Sequence, residues 1–276
     1  MAIDVDARSA LSPARISWSA ILDRLLVPST IVIFFLMWEF LVRHFEVPQY
    51  LLPPPSAVLA SLSNMWNAGV LQEHAAVTLF EAVCGFLIAL SAALICGILI
   101  AESRLFERVI YPYLAAMQSM PKVALAPLIM IWFGMGVESK IVLSALLSFF
   151  PMLVNTVEGL KSVDAKRIAL LKVLGASRLA TLRLLKIPNA LPFLLAGIEL
   201  GAIYAMLGAI VAEFVGSPHG IGAYLMSMTY QMDAPGAFAL LLVLALYGMT
   251  VQFFLRTARR KLLFWSRLPN THDGGA

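Results

Sequence analysis

Lys122, Glu199 and Glu213 stand inside long apolar stretches of this chain. A formal charge at membrane depth costs about 3 kcal/mol or more unless it meets a partner or water. Lys122, between Pro121 and Val123, is the best placed to attract an anionic solute, against the commoner fate of a lysine at such depth, snorkelling to the interface. Glu199 and Glu213 either line a path or stabilise an open helix end. Glu39 and Glu81 fall near the ends of their stretches, where water is expected to reach them. Little else has the spacing of a reactive site. His44, His74, His219 and His272 are scattered, and no group of His, Cys and carboxylates has metal-ligand spacing. Cys84 and Cys96, on one helix, would be roughly 18 Å apart, too far to pair with each other. Met226, Met228 and Met232 read as gap-fillers. With no convergent nucleophile or metal set, the residues point away from an enzyme and imply no cofactor.

The other chemistry is electrostatic. Lys161, Lys166, Arg167, Lys172, Arg178, Arg183 and Lys186 crowd into 26 residues of an otherwise apolar chain. Alanine, leucine and charged residues favour helix through 165–174, and Gly175 interrupts the run as a C-terminal cap does. Ser177 caps a second helix over 178–186, which Pro188 is expected to end. Ile168, Leu171 and Gly175 share a face. Two readings follow: a basic segment lying on anionic lipid headgroups, or an element that docks in a groove of a soluble partner.

The elements that must hold these residues are membrane helices. Hydrophobic residues make up 61% of the 276 and charged residues 13%, about half the charge of a soluble domain. The net charge of +4 does not indicate nucleic acid, because the cations are segregated by loop. Six stretches approach the 20 or so residues that cross a bilayer: 25–42, 75–101, 109–133, 141–157, 190–215 and 237–255. The third holds Pro112, Pro121 and Pro127, and a helix broken at that depth must be covered by protein or line a water-filled cavity. Of the 20 Lys and Arg, seventeen fall in the two tails and the two links on their side. Arg43 and Lys140 lie opposite, so both termini face the cytoplasm and the basic hairpin does too. The expected organisation is a cytoplasmic tail at 1–24 with a possible surface helix, a membrane domain at 25–255 carrying the hairpin 164–188, and a basic tail at 256–276. Residues 269–276 read as disordered.

Finer features follow from local patterns. Ser56, after Pro53, Pro54 and Pro55, is positioned to cap a short interfacial helix at 57–66. Gly85, Ala89, Ala93, Gly97 and Ala101, and again Gly197, Gly201, Ala205 and Ala209, recur every fourth residue, which lets helix backbones approach closely in lipid. Packing within the chain is the favoured use of both stripes over a dimer seam. No internal repeat supports an inverted-repeat architecture.

The hairpin resembles the cytoplasmic loop of ABC importer permeases. That loop has three residues of Glu-Ala-Ala type, three more, a glycine, and a hydrophobic residue with proline thirteen positions on. Here these are Ala169-Leu170-Leu171, Gly175 and Ile187-Pro188, with the acidic residue absent. Trp38-Glu39, Leu52-Pro53-Pro54-Pro55-Ser56, Met120-Pro121-Lys122, Trp132-Phe133-Gly134-Met135-Gly136, Phe149-Phe150-Pro151 and Ala212-Glu213-Phe214 extend the resemblance over residues 28–255. The pattern is similar to the permeases for sulfonates, taurine, nitrate and thiamine precursors. The resemblance implies an all-α inner-membrane subunit of an ATP-driven importer, with about six spans, usually a homodimer, enclosing a path for a small anionic or heterocyclic solute. It implies ABC ATPase subunits in the cytoplasm, an extracytoplasmic solute-binding protein, and lipid around the spans. Ala169, Leu170, Leu171, Lys172, Leu174, Gly175, Ile187 and Pro188 would then form the coupling surface. The chain has no GxxxxGK[ST] phosphate loop, so ATP hydrolysis falls to the partner. An ion-coupled carrier would use Lys122, Glu199 and Glu213 without an ATPase, but leaves the hairpin unexplained.

Overall fold

Every element of the computed structural model, which describes residues 18–263, is helical. The first part of the expected tail, 1–17, lies outside the described residues, as does 269–276; residues 18–24 are the opening turns of α1. In chain order the helices are α1 Trp18–His44, α2 Pro55–Asn67, α3 Val70–Glu102, α4 Arg104–Gln118, α5 Ala126–Phe133 and α6 Val137–Lys161. There follow α7 Ala165–Val173, α8 Arg178–Thr181, α9 Ile187–Gly216, α10 Ile221–Tyr230 and α11 Ala234–Leu262. A 3-10 turn, Lys122–Leu125, leads into α5, and a π-turn, Leu182–Lys186, joins α8 to α9.

Among the described residues, four helical segments are long and apolar enough to cross a membrane: α3, α6, the continuous run Arg178–Gly216, and α11. A fifth is formed if α4 and Lys122–Phe133 are one span bent by 89°. α1 covers the first expected stretch. The break in the third stretch falls at Pro121, after α4 ends; Pro112 stays inside α4, and Pro127 sits in the first turn of α5, where its missing N–H has no helical partner to lose. α11 runs beyond residue 255, so Arg256, Arg259, Arg260 and Lys261 are helical.

α6 occupies the centre of a three-helix core, in which α3 and α9 pack on it and on each other. The small-residue stripes are what admit it. A side chain at Gly85 would strike Ser144, at Gly97 Thr156, and at Gly201 Met152. At Gly208 a Cβ would lie 2.6 Å from the Cα of Ser144, so the backbones themselves are in contact. Both stripes are therefore used inside the chain. The Ser144 hydroxyl donates to the Ala205 carbonyl at 2.8 Å across this seam. Leu143, Leu147, Phe150, Met152, Leu153 and Val157 fill the core beside it.

Two local expectations are corrected. Ser56 does not cap α2; Pro54 holds that position, and the cap comes from another helix. Glu39 of α1 accepts from the Ser56 N–H at 3.0 Å and from its hydroxyl at 2.8 Å, while Arg43 donates to Glu39 at 2.5 Å. Three prolines remove donors from this turn, and a carboxylate at the free end of α2 meets what remains. The second correction is α10, a helix inside what reads as a glycine-rich link. Ile221, Leu225 and Met228 bury one face of it with Met65, Leu71 and Leu240.

Candidate functional site

The basic hairpin is built as its capping residues require. The Asp164 carboxylate accepts from the Lys166 N–H at 2.9 Å and starts α7; Ser177 accepts from the Ala180 N–H at 3.2 Å and starts α8. Gly175 has φ +80°, and α7 closes with Gly175 N–H to Lys172 O at 3.0 Å and Ala176 N–H to Leu171 O at 2.9 Å. These are the paired bonds of a Schellman end. The expected stop at Pro188 does not occur. Pro188 withholds an N–H and its ring crowds the carbonyl four residues back, but the wider π-turn at Leu182–Lys186 absorbs both, and the helix runs on to Gly216. The hairpin's second arm is thus the lower end of a membrane span.

Among its exposed cations stand large apolar side chains. Leu170, Val173, Leu174 and Leu184 are exposed at 60%, 85%, 71% and 72%. Ala169, Lys172, Gly175 and Pro188 are exposed as well, and Leu171 and Ile187 are half-buried. The neck is held by ion pairs: Lys186 to Glu102 at 2.6 Å, and Lys161 to Glu107 at 2.6 Å.

Lys122 opens a different region. Its ammonium donates to the Gln118 carbonyl at 3.1 Å and lies 4.7 Å from the centre of the Phe150 ring. It borders a cavity of about 340 Å³ with Gln118, Phe150, Pro151 and Tyr204. The cation therefore replaces the lost helical donors at the Pro121 break and borders the cavity at the same time.

Glu199 and Glu213 are not brought to that cavity. Glu199 meets Arg259 of α11 at 3.5 Å. Glu213 is 1% exposed; it accepts from the Thr78 hydroxyl at 2.6 Å and from the Gly222 N–H at 2.5 Å. It thereby caps α10. The Ile221 N–H donates to Thr78 Oγ1 at 2.8 Å, and the Gly220 N–H donates to His74 Nδ1 at 2.9 Å, so α3 supplies the remaining caps. The His74 ring stacks on Tyr224 at 4.8 Å; burial, and then the Asp233 charge, pushes the Tyr224 hydroxyl up. Glu81 and Lys140 join Glu213, each 1% exposed. Glu81 was expected to be solvated and Lys140 to be a link cation. Both are enclosed because α3 starts at Val70 and α6 at Val137, which places each inside the packed outer ends of α3, α6, α9 and α10. Lys140 donates to the Met135 carbonyl.

The family model for the binding-protein-dependent transport system inner membrane component matches residues 89–263. The chain belongs to this family. The match places this transport component in the inner membrane and takes in α4 to α11, with the hairpin and the Lys122 break. The riboflavin transport system permease protein RibX of Chloroflexus aurantiacus is 36% identical over 91% of this chain and 92% of its own. The formylaminopyrimidine transport permease protein ThiX of Halalkalibacterium halodurans is 32% identical over 85% and 95%. Bacillus subtilis SsuC, described as a putative aliphatic sulfonates transport permease, is 32% identical over 91% and 88%. The fold is shared with a chain of the MetNI methionine ABC transporter in inward-facing conformations. There the TM-score is 0.56 and the identity 19%, over 75% of this chain and 94% of that one.

Proposed function

We propose that this transport component docks its hairpin, 164–188, in a cytoplasmic ABC ATPase and pairs with a second copy of itself to enclose a path for a small anionic or heterocyclic solute. An extracytoplasmic binding protein delivers the solute, and the ATPase alone hydrolyses ATP. Six spans, with α1 first and the α4–α5 pair third, leave both termini and the hairpin in the cytoplasm. The observation that carries the reading is the exposed apolar face of Leu170, Val173 and Leu174 on a capped, rigid α7. Residues 169–174, with Val173 the most exposed, form the docked face with Gly175, and Ile187 and Pro188 lead it into α9. Lys122, beside Tyr204 and Phe150, meets the solute; riboflavin, formylaminopyrimidine and aliphatic sulfonates, named for three relatives, are rings or anions that an ammonium between aromatics suits. Glu199 and Glu213 position helices.

Purification from native membranes in mild detergent, with mass spectrometry of what stays bound, tests this. A phosphate-loop subunit should remain with the wild type and be lost from Leu174→Asp. A chain that purifies alone, and in liposomes moves solute down an ion gradient, would sink the reading in favour of a carrier.

A further inference from the structure

Lys186 and Glu102 meet at 2.6 Å across 84 residues of sequence, with side chains only 15% and 26% exposed. Lys186 is the last residue of the π-turn, and Glu102 is the last residue of α3. A charge-assisted bond in this partly enclosed place is stronger than an exposed surface pair. Beside it, Asn189 donates to the Ser162 hydroxyl at 2.9 Å and ties the start of α9 to the end of α6. The neck of the hairpin is therefore anchored to both helices that meet there.

The π-turn gives the anchor its meaning. A single π-turn within an α-helix is a local departure from regular bonding and often marks a functional position. Pro188 adds the loss of one backbone donor at the same point. The rod from Arg178 to Gly216 is thus weakened in bending at 182–186, as it is again at Pro192 inside α9. Movement of α7 would be absorbed there unless the neck is fixed to something stiff. α3 is stiff: 33 residues seated on α6 along Gly85 and Gly97.

We propose that the Glu102–Lys186 pair is the joint through which the hairpin drives α3, which makes Glu102 and Lys186 positioning residues for transport. The inference rests on the docking reading above. Without the joint, displacement of α7 bends the π-turn; with it, the cytoplasmic end of α3 follows the neck, and the glycine seam carries that movement into α6.

Hydrogen exchange read by mass spectrometry, on the complex of this chain with its ATPase subunits in lipid nanodiscs, tests the joint without needing the solute. Trapping with ATP and vanadate should change exchange in the wild type at 165–186 and at the end of α3. In Glu102→Gln the change at 165–186 persists, while the ATP-dependent change in α3 falls by more than half and its exchange without nucleotide stays the same. Lys186→Arg should keep the α3 response, and the exchange E102K/K186E should restore it. An α3 response of wild-type size in Glu102→Gln would overturn the joint. So would exchange in α3 raised equally with and without nucleotide, since that is lost packing. If Glu102→Gln fails to assemble, E102K/K186E decides: an α3 response supports the joint, and a response confined to the hairpin removes it. No response at 165–186 in the wild type removes the docking reading, and this inference with it.

Discussion

Gly175 and Glu213 show two ways in which one residue sets a helix end. At Gly175 the backbone is left-handed, and an added Cβ would meet nothing within 4 Å, so only the conformation restricts the residue. The left-handed form costs an L-residue roughly 1–2 kcal/mol, and asparagine tolerates it better than a β-branched side chain. Gly175→Asn is expected to keep the ATPase subunit on purification, and Gly175→Val to lose it while still inserting in the membrane. Glu213→Ala would strand the Gly222 N–H in a buried place, at about 1–3 kcal/mol, and leave the Thr78 hydroxyl to donate only to the His74 carbonyl at 3.2 Å. Thermal unfolding in detergent should show a clear drop in midpoint, with a smaller one for Glu213→Gln, which keeps an acceptor. Gly175 was legible from the sequence because a glycine between two helix-forming runs has few other uses. Glu213 was legible only as an anomaly: Thr78 is 135 residues away and carries no mark of its partner.

Between elements, the α6–α9 seam separates two kinds of close approach. A Cβ added at Gly208 would meet backbone atoms of Leu143 and Ser144 at 2.6 to 2.9 Å, whereas one at Gly201 would meet the flexible side chain of Met152. Gly208→Ala should therefore destabilise by about 1–3 kcal/mol, because helix axes must part, and Gly201→Ala by less, because Met152 can turn aside. Paired unfolding curves in one detergent check the order; equal losses would contradict it. The four-residue stripes on α3 and α9 were readable. The helix that fills them was not, because α6 meets glycine with Ser144, Asn155 and Thr156, which from sequence look like scattered polar residues. Pro188 misled for a related reason. Proline reads as a stop, and the sequence does not reveal a π-turn that accommodates it.

For the whole molecule, the charge distribution makes a separate demand. With seventeen cations on one side, reporters fused at either terminus should both report cytoplasm, as should one inserted after Gly175. Any one of them reporting outside would reverse the reading of the hairpin. The helical class and most of the spans were legible because length and hydropathy decide them. The enclosure of Glu81 and Lys140 was not, since it depends on four helix ends converging. The same holds for α10, whose N-terminus is completed by residues of α3 and α9.

The rod from Arg178 to Gly216 has 39 residues, about 58 Å at 1.5 Å each, against a hydrocarbon core of about 30 Å. On the proposed topology its excess length stands beyond the bilayer. Its inner end begins at the Ser177 cap, and near its outer end Glu213 grips the first turn of α10. If the hairpin docks as proposed, one helical run, with its π-turn at 182–186, links the ATPase to the extracytoplasmic end of α9. On that reading linkage imposes a symmetry: whatever factor a binding protein on the outer face applies to nucleotide affinity at the docked ATPase, nucleotide applies to the binding protein. A binding protein that grips more tightly when ATP is bound must, by the same factor, tighten ATP.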